Sequence, residues 1–275
     1  MKKVILFSPN GYVGSFIKER IAKEKDMQLY TMTRDSGWPQ YEGSYDIMIY
    51  SAAITSSRQE TADKYVQDNV ATAVRAVDFC RKHHIQRVIY ISTDEIYGEL
   101  NTNVVSEKAV MINPNLYAAT KYLAEKIIIE SGIRYYILRL PGVVGKIWGH
   151  NFIYRLMDSI KKGDALELYN VDRDFNNILD VEDLAEFISV LCMRGSDGRS
   201  EIFLLGNTEK VKLYEVIGYM KKLHHSTSKI TSKNTDEKRY FTLDTAKAAE
   251  YGYSSKRIWT IIDDLYRIQE SVGIE

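Results

Sequence analysis

At 275 residues, with 45% hydrophobic side chains, the chain is long enough for one large core or for a core with a smaller lobe beside it. Its 37 Lys and Arg balance 37 Asp and Glu, so no overall field favours a polyanion, and nucleic acid and membrane surfaces are not expected partners. Cys80 and Cys192 lie in helical stretches without metal-ligand spacing and are read as reduced packing residues of a cytoplasmic protein, while no apolar run reaches the roughly 18 residues of a bilayer span.

In chain order, the run "KVILF" at 3–7 reads as a strand, "SPNGYVGS" as a turn, and "FIKERIAKEK" as a helix. Strands follow at 27–33 and 45–53, then a helix over 63–84, the strand "RVIYIST", a helix over "LYAATKYLAEKIIIES", and the strand "RYYILRL". Strands alternating with helices predict an α/β fold of the Rossmann type, a doubly wound parallel sheet, because parallel neighbours need a crossover that covers the sheet. This dinucleotide-binding domain is expected over 1–146. Residues 147–275 are expected mainly to form a smaller substrate-binding lobe, with segments returning to the main sheet. Helices are predicted at "NFIYRLMDSIKKG" and "VEDLAEFISVLCM" and a strand at "EIFLLGN", whereas the polar stretch 224–238 is read as a surface loop.

The first turn carries chemistry. Asn10, Gly11, Tyr12 and Val13 stand where a strand hands over to a helix, and a helix N-terminus with exposed N–H groups suits a pyrophosphate. Gly11 and Gly14 admit close approach; the spacing resembles the G-x-x-G-x-x-G turn of the extended short-chain dehydrogenase/reductases, with Ser8 in the first glycine position. At the end of the second strand, Arg34 before Asp35 favours NADP, with NAD left open. In "YAATK", Tyr117 and Lys121 are four apart and share a helix face, so the ammonium is expected to lower the phenol pKa and ready it for proton transfer.

Taken together, "SAA" at 51–53, "STDEIYG" at 92–98, "YAATK" and "LRLPGVVG" resemble the extended short-chain dehydrogenase/reductases of the NAD-dependent epimerase/dehydratase group, over essentially the whole chain. The resemblance implies cofactor contacts from Ala52, Ala53, Ser92, Pro141 and Val143, and from Tyr117 and Lys121, the lysine holding the nicotinamide ribose. It implies Tyr117 as the proton carrier and Thr93 as a second hydrogen-bond donor to the same substrate oxygen. Asp94 and Glu95 match the acid and base of nucleotide-sugar 4,6-dehydratases. The nucleotide-sugar would meet Trp148, Asn151, Arg173, Asn176 and Asn177. Asn176 falls where many members carry an arginine that grips the diphosphate, and both asparagines also suit turns.

The leading expectation is reduction of a 4-keto nucleotide-sugar by hydride transfer. A 4,6-dehydratase or 4-epimerase with recycled NAD is the enzymatic alternative, and a non-catalytic dinucleotide sensor or scaffold the alternative from another class. No metal is expected. A homodimer is, through the helices at 63–84 and 116–131 with Val70, Val74, Leu123 and Ile127 as candidates for the seam.

Overall fold

The computed structural model describes residues 1–33, 43–55, 60–147, 149–194, 198–236 and 240–272. A six-stranded parallel sheet forms its centre. In chain order it is built from β1 (Lys2–Phe7), β2 (Met27–Met32), β3 (Ile47–Tyr50), β4 (Arg87–Thr93), β6 (Arg134–Leu140) and β11 (Glu201–Leu204). Spatially the order is β11-β6-β4-β3-β1-β2. β1 thus lies between β2 and β3, and the chain reverses its direction of travel across the sheet there, which opens a crevice at the strands' carboxyl ends.

The two-residue period of a strand sets the layers. Val4 and Leu6 of β1 join Ile49, Ile89 and Leu138 in a core beneath α1 (Tyr12–Ile21) and α6 (Val181–Met193). Ile5 and Phe7 face the other way, with Met48, Tyr50, Tyr90 and Ile137, against α3 (Thr72–Lys82) and α4 (Leu116–Glu130). Both faces are covered, which is why these strands are continuous apolar runs rather than alternating ones.

The helix expected over 63–84 is present, but in three parts: α2 (Ala62–Tyr65), a π-helical stretch Val66–Ala71, and α3. The widened stretch buries Asp68 and Asn69, and Asn69 bonds both Ile54 main-chain groups and the Thr120 hydroxyl. Polar side chains directed inward at that point are what the apolar periodicity could not reveal.

A third core gathers α5 (Phe152–Lys162), α7 (Leu213–Leu223) and α9 (Ile258–Val272). Each helix has a local reason to start or stop. Asn151 caps α5 by accepting from the Ile153 and Tyr154 N–H groups, and Gly163 ends it at φ +78°. Asp180 caps α6, whose first turn holds Glu182 and Asp183. The stretch 224–238 departs from the expected loop: β13 (Ile230–Lys233) pairs in parallel with β8 (Leu166–Tyr169). Its sequence is polar because three of its four residues are exposed, so the ladder rests on backbone bonds that leave no apolar signature. β14 (Tyr240–Leu243) pairs with β5 (Asn101–Val105), and α6 and β11 lie with the central sheet.

Candidate active site

The turn between β1 and α1 fits a dinucleotide diphosphate. Gly14 packs so tightly that a Cβ there would stand 2.0 Å from the Ser8 carbonyl oxygen. Ser8 itself takes φ +71°, the left-handed region where glycine is at ease; the backbone takes a glycine-like shape although the residue is a serine. Ser51 secures the turn by donating to the Phe7 carbonyl at 2.8 Å. At the start of α1, Gly11 is the capping residue and no side-chain cap bonds the helix end, nor does the first turn contain an acidic residue. The N–H groups that Tyr12 and Val13 present are therefore suited to an anion. Ala52 is buried and Ala53 exposed just beyond β3. Arg34, on which the NADP expectation rests, lies outside the described residues, as does Trp148.

Thr93 closes β4, and its hydroxyl accepts from the Glu95 N–H at 3.2 Å. That arrangement opens a short 3-10 helix, Asp94–Tyr97, and leaves the hydroxyl proton for Tyr117, to whose oxygen it hydrogen-bonds. Asn115 caps α4 by accepting from Ala118 N–H at 2.8 Å, and its amide donates to Glu95 at 2.9 Å. Tyr117, in the first turn of that helix, is thereby fixed beside Thr93, Asp94 and Glu95. Asp94 is buried, Glu95 half-buried, and both open into a cleft of about 490 Å³.

The electrostatics correct one expectation. Tyr117 is raised above the ordinary phenol value, first by burial and then by Glu95, with the Thr93 hydrogen bond opposing and Asp94 and Tyr65 adding to the rise. Lys121 is not among the groups that move this phenol. Its ammonium donates to the Ile91 carbonyl at 2.6 Å and lies 4.2 Å from the centre of the Tyr90 ring. Burial pulls Lys121 down to about 7, against an upward pull from Glu125. A cation inside a core turns to the nearest carbonyl and π-face, and desolvation of the phenol exceeds any help from one turn away.

Ser92 is a further revision. Strand parity directs its side chain, like that of Tyr90, to the α4 face, where its hydroxyl bonds Glu125 at 2.5 Å. Any contact it makes with a cofactor falls to its backbone. After β6, Pro141 is buried and Val143 half-buried; Val143 packs against the α1 and α6 core.

Across the cleft the expected substrate ligands separate. Asn177 lines it with Tyr169, Phe175 and Tyr240. Asn151 also lines it, but its side chain is occupied as the α5 cap and by the Val143 carbonyl at 2.9 Å. Asn176 is no substrate ligand in this geometry: fully buried, it donates to the carbonyls of Asn207 and Leu243 and accepts from Leu243 N–H. A side-chain amide that pairs with main chain on two sides substitutes for missing sheet bonds, and its full burial keeps it out of a ligand's reach. Arg173 is half-buried near the rim, paired with Asp236 at 3.2 Å and 5.1 Å from the Tyr240 ring centre. Sequence reasoning missed Asn69, Asn115, Glu125 and Arg139. Only Glu125 carries a signal, standing four residues beyond Lys121 as Lys121 stands beyond Tyr117.

Among the described residues, no cluster of His, Cys, Asp or Glu is arranged to hold a metal ion, and no helix is long and apolar enough to cross a membrane.

Comparison with known proteins agrees with this geometry. The chain is 24% identical over 210 residues to a trifunctional UDP-glucose 4,6-dehydratase/UDP-4-keto-6-deoxy-D-glucose 3,5-epimerase/UDP-4-keto-L-rhamnose-reductase of Arabidopsis thaliana, covering 71% of this chain and 31% of that one. The chain thus spans about a third of that relative's length. With a UDP-glucose 4-epimerase of Corynebacterium glutamicum it is 22% identical over 262 residues, covering 84% of this chain and 78% of that one. A UDP-glucuronic acid 4-epimerase from Bacillus cereus, solved in complex with NAD, superposes with a TM-score of 0.79 at 16% identity, over 98% of this chain and 99% of that one. The profile of the NAD dependent epimerase/dehydratase family matches residues 10–206, and the chain, an enzyme of Rossmann fold, belongs to that family.

Proposed function

We propose that the protein is a nucleotide-sugar 4,6-dehydratase, removing water from a nucleoside-diphosphate hexose through transient oxidation at C4. The observation that carries this reading is the placement of two adjacent carboxylates, Asp94 and Glu95, on the cleft wall beside Tyr117 and Thr93. Plain hydride transfer at C4 needs one proton carrier; elimination across C5 and C6 needs a base and an acid besides. With the positive charge of an oxidised nicotinamide beside it, Tyr117, hydrogen-bonded by Thr93, would ionise and take the proton of the C4 hydroxyl. Glu95 takes the C5 proton and Asp94 gives a proton to the departing C6 oxygen. A dinucleotide held by Gly11, Tyr12 and Val13, with Lys121 near its ribose, supplies the hydride acceptor and donor. The substrate's diphosphate side meets Asn177 and Arg173 at the rim.

The reductase reading has its own support. Burial keeps Tyr117 protonated at neutral pH, the form that donates to a 4-keto oxygen. NADP as cofactor belongs with it and rests on Arg34. A 4-epimerase would use the same Tyr117 and Thr93 and leave the carboxylates without a task. Incubating the protein with UDP-, dTDP-, GDP- and CDP-glucose and catalytic NAD, without added reductant, separates them by mass. A product lighter by one water supports the dehydratase. An isomer of unchanged mass supports the epimerase. Turnover seen only with 4-keto substrates and stoichiometric NADPH supports the reductase.

A homodimer is proposed through the outer faces of α3 and α4, where Val74 and Leu123 are each nearly half exposed; Val70, half-buried on the π-helical stretch, adjoins them, while Ile127 packs against the inner core. Sedimentation across a concentration series showing only monomer would remove it.

A further inference from the structure

Behind the candidate active site lies a buried ionic network for which the proposed chemistry has no direct use. Glu125 and Arg139 are 0% and 3% exposed. The guanidinium grips the carboxylate as a fork, Nη2 to Oε2 at 2.7 Å and Nε to Oε1 at 3.2 Å. Its remaining nitrogen, Nη1, donates to the Tyr97 hydroxyl at 2.8 Å and the Glu107 carbonyl at 3.0 Å. Ser92 completes the set through its bond to Glu125 Oε1.

Three points of this network, Ser92, Tyr97 and Glu125, lie on elements that carry reactive groups. Ser92 immediately precedes Thr93 at the end of β4. Tyr97 closes the 3-10 helix that begins with Asp94 and Glu95. Glu125 lies on α4 one turn beyond Lys121 and two beyond Tyr117, on the same face. The end of β4, the 3-10 helix and α4 are thereby tied together through Glu125 and its partner Arg139. A well-packed apolar set would hold such a core as firmly as an ion pair does; what it would not provide is a fixed negative charge near Lys121 and directional bonds to all three segments.

We propose that Glu125 is a positioning residue: clamped by Arg139 and Ser92, it holds the Lys121 ammonium charged inside the core and sets Thr93, the Asp94–Glu95 pair and Tyr117 in register with one another. Around Lys121, β4 contributes the Tyr90 ring and the Ile91 carbonyl and α4 contributes Tyr117 and Glu125, with Arg139 of β6 engaged by the carboxylate. Tyr90 and Tyr117 are both raised by burial and stay neutral near pH 7. Glu125 is thus the carboxylate that sustains the cation, in line with its upward pull on Lys121. The inference rests on the reading of Tyr117 and Lys121 as active-site residues.

The test follows the pH titration of Lys121 by NMR of 13Cε-labelled lysine, assigned with Lys121→Arg, in the full chain and in Glu125→Gln and Glu125→Asp. An opposite charge one helical turn away on the same face is expected to move the midpoint by about one pH unit. Glu125→Gln should therefore lower it by that amount and cut kcat/KM at neutral pH about tenfold or more, while Glu125→Asp, which keeps the charge, recovers most of both. If Glu125→Gln does not fold because Arg139 is left unpaired, Glu125→Gln with Arg139→Gln leaves no buried charge unmatched and should show the same lowered midpoint. An unchanged midpoint in the glutamine variants overturns the proposal. Should that happen while Tyr117→Phe abolishes turnover, the active-site reading stands and only the role of Glu125 falls. Turnover by Tyr117→Phe equal to that of the unmodified chain would instead remove the active-site reading, whatever the lysine titration shows.

Discussion

The two walls of the cleft are built differently. On the sheet side, Asp94 lines the cleft, with Thr93 and Tyr117 beside it and Ser92, Lys121 and Glu125 behind, all of them buried on β4, the 3-10 helix or α4. On the opposite side, Tyr169, Asn177 and Tyr240 come from short strands and connections, and Arg173 rests on the Tyr240 ring and an ion pair with the exposed Asp236. The sheet wall is prearranged, as proton and hydride transfer require. The outer wall is the part that can vary with substrate without disturbing the chemistry.

Substitutions should sort by wall. The largest effect is expected from Tyr117→Phe, which removes the phenol oxygen alone and should lower kcat about 10²–10⁴-fold with little change in KM, read by steady-state turnover. Next come Asp94→Asn and Glu95→Gln. Each should slow water loss about a hundredfold or more while transient cofactor reduction, followed by absorbance, persists; equal loss of both steps would deny the carboxylates a separate role. Gly14→Ala should destabilise the fold by about 1–3 kcal/mol in a denaturant titration and weaken dinucleotide binding, because its Cβ would collide with Ser8 backbone.

The two neighbouring asparagines sharpen the contrast within the outer wall. Asn176→Ala leaves buried Leu243 and Asn207 groups unpaired and should cost about 1–3 kcal/mol of stability with KM following only through misfolding. Asn177→Ala should leave stability within about 0.5 kcal/mol and raise KM for the nucleotide-sugar. The reverse pattern would exchange their roles.

Lys121 also makes stability depend on pH. Its pKa drops on folding, so between about pH 7 and its unfolded value near 10.5 the unfolded chain binds more protons, and stability rises with pH across that window. Below pH 7 both states are protonated and the burial cost is fully present. Lys121→Met should flatten the rise, as melting temperatures from pH 7 to 10 would show.

How far the sequence could be read follows the same division. β1, β4 and β6 are buried on both faces and announce themselves as apolar runs, and the Tyr117–Lys121 spacing places both residues on one helix face before any coordinates are known. What stayed hidden depends on contacts across long separations. Asn176 looks like a turn former or ligand until Leu243, sixty-seven residues away, is seen to bond both ends of its amide. Lys121 looks like an acidifier of Tyr117 until the Ile91 carbonyl and Tyr90 ring take up its charge. The strand within 224–238 has no apolar face to betray it.

The most direct measurement is NMR of the product formed in heavy water from whichever nucleoside-diphosphate glucose is turned over. If Tyr117 works together with the carboxylate pair, the product is a 4-keto-6-deoxy sugar carrying solvent deuterium at C5, and Glu95→Gln suppresses that label. A product that keeps its C6 hydroxyl and gains no deuterium at C5 would contradict the account.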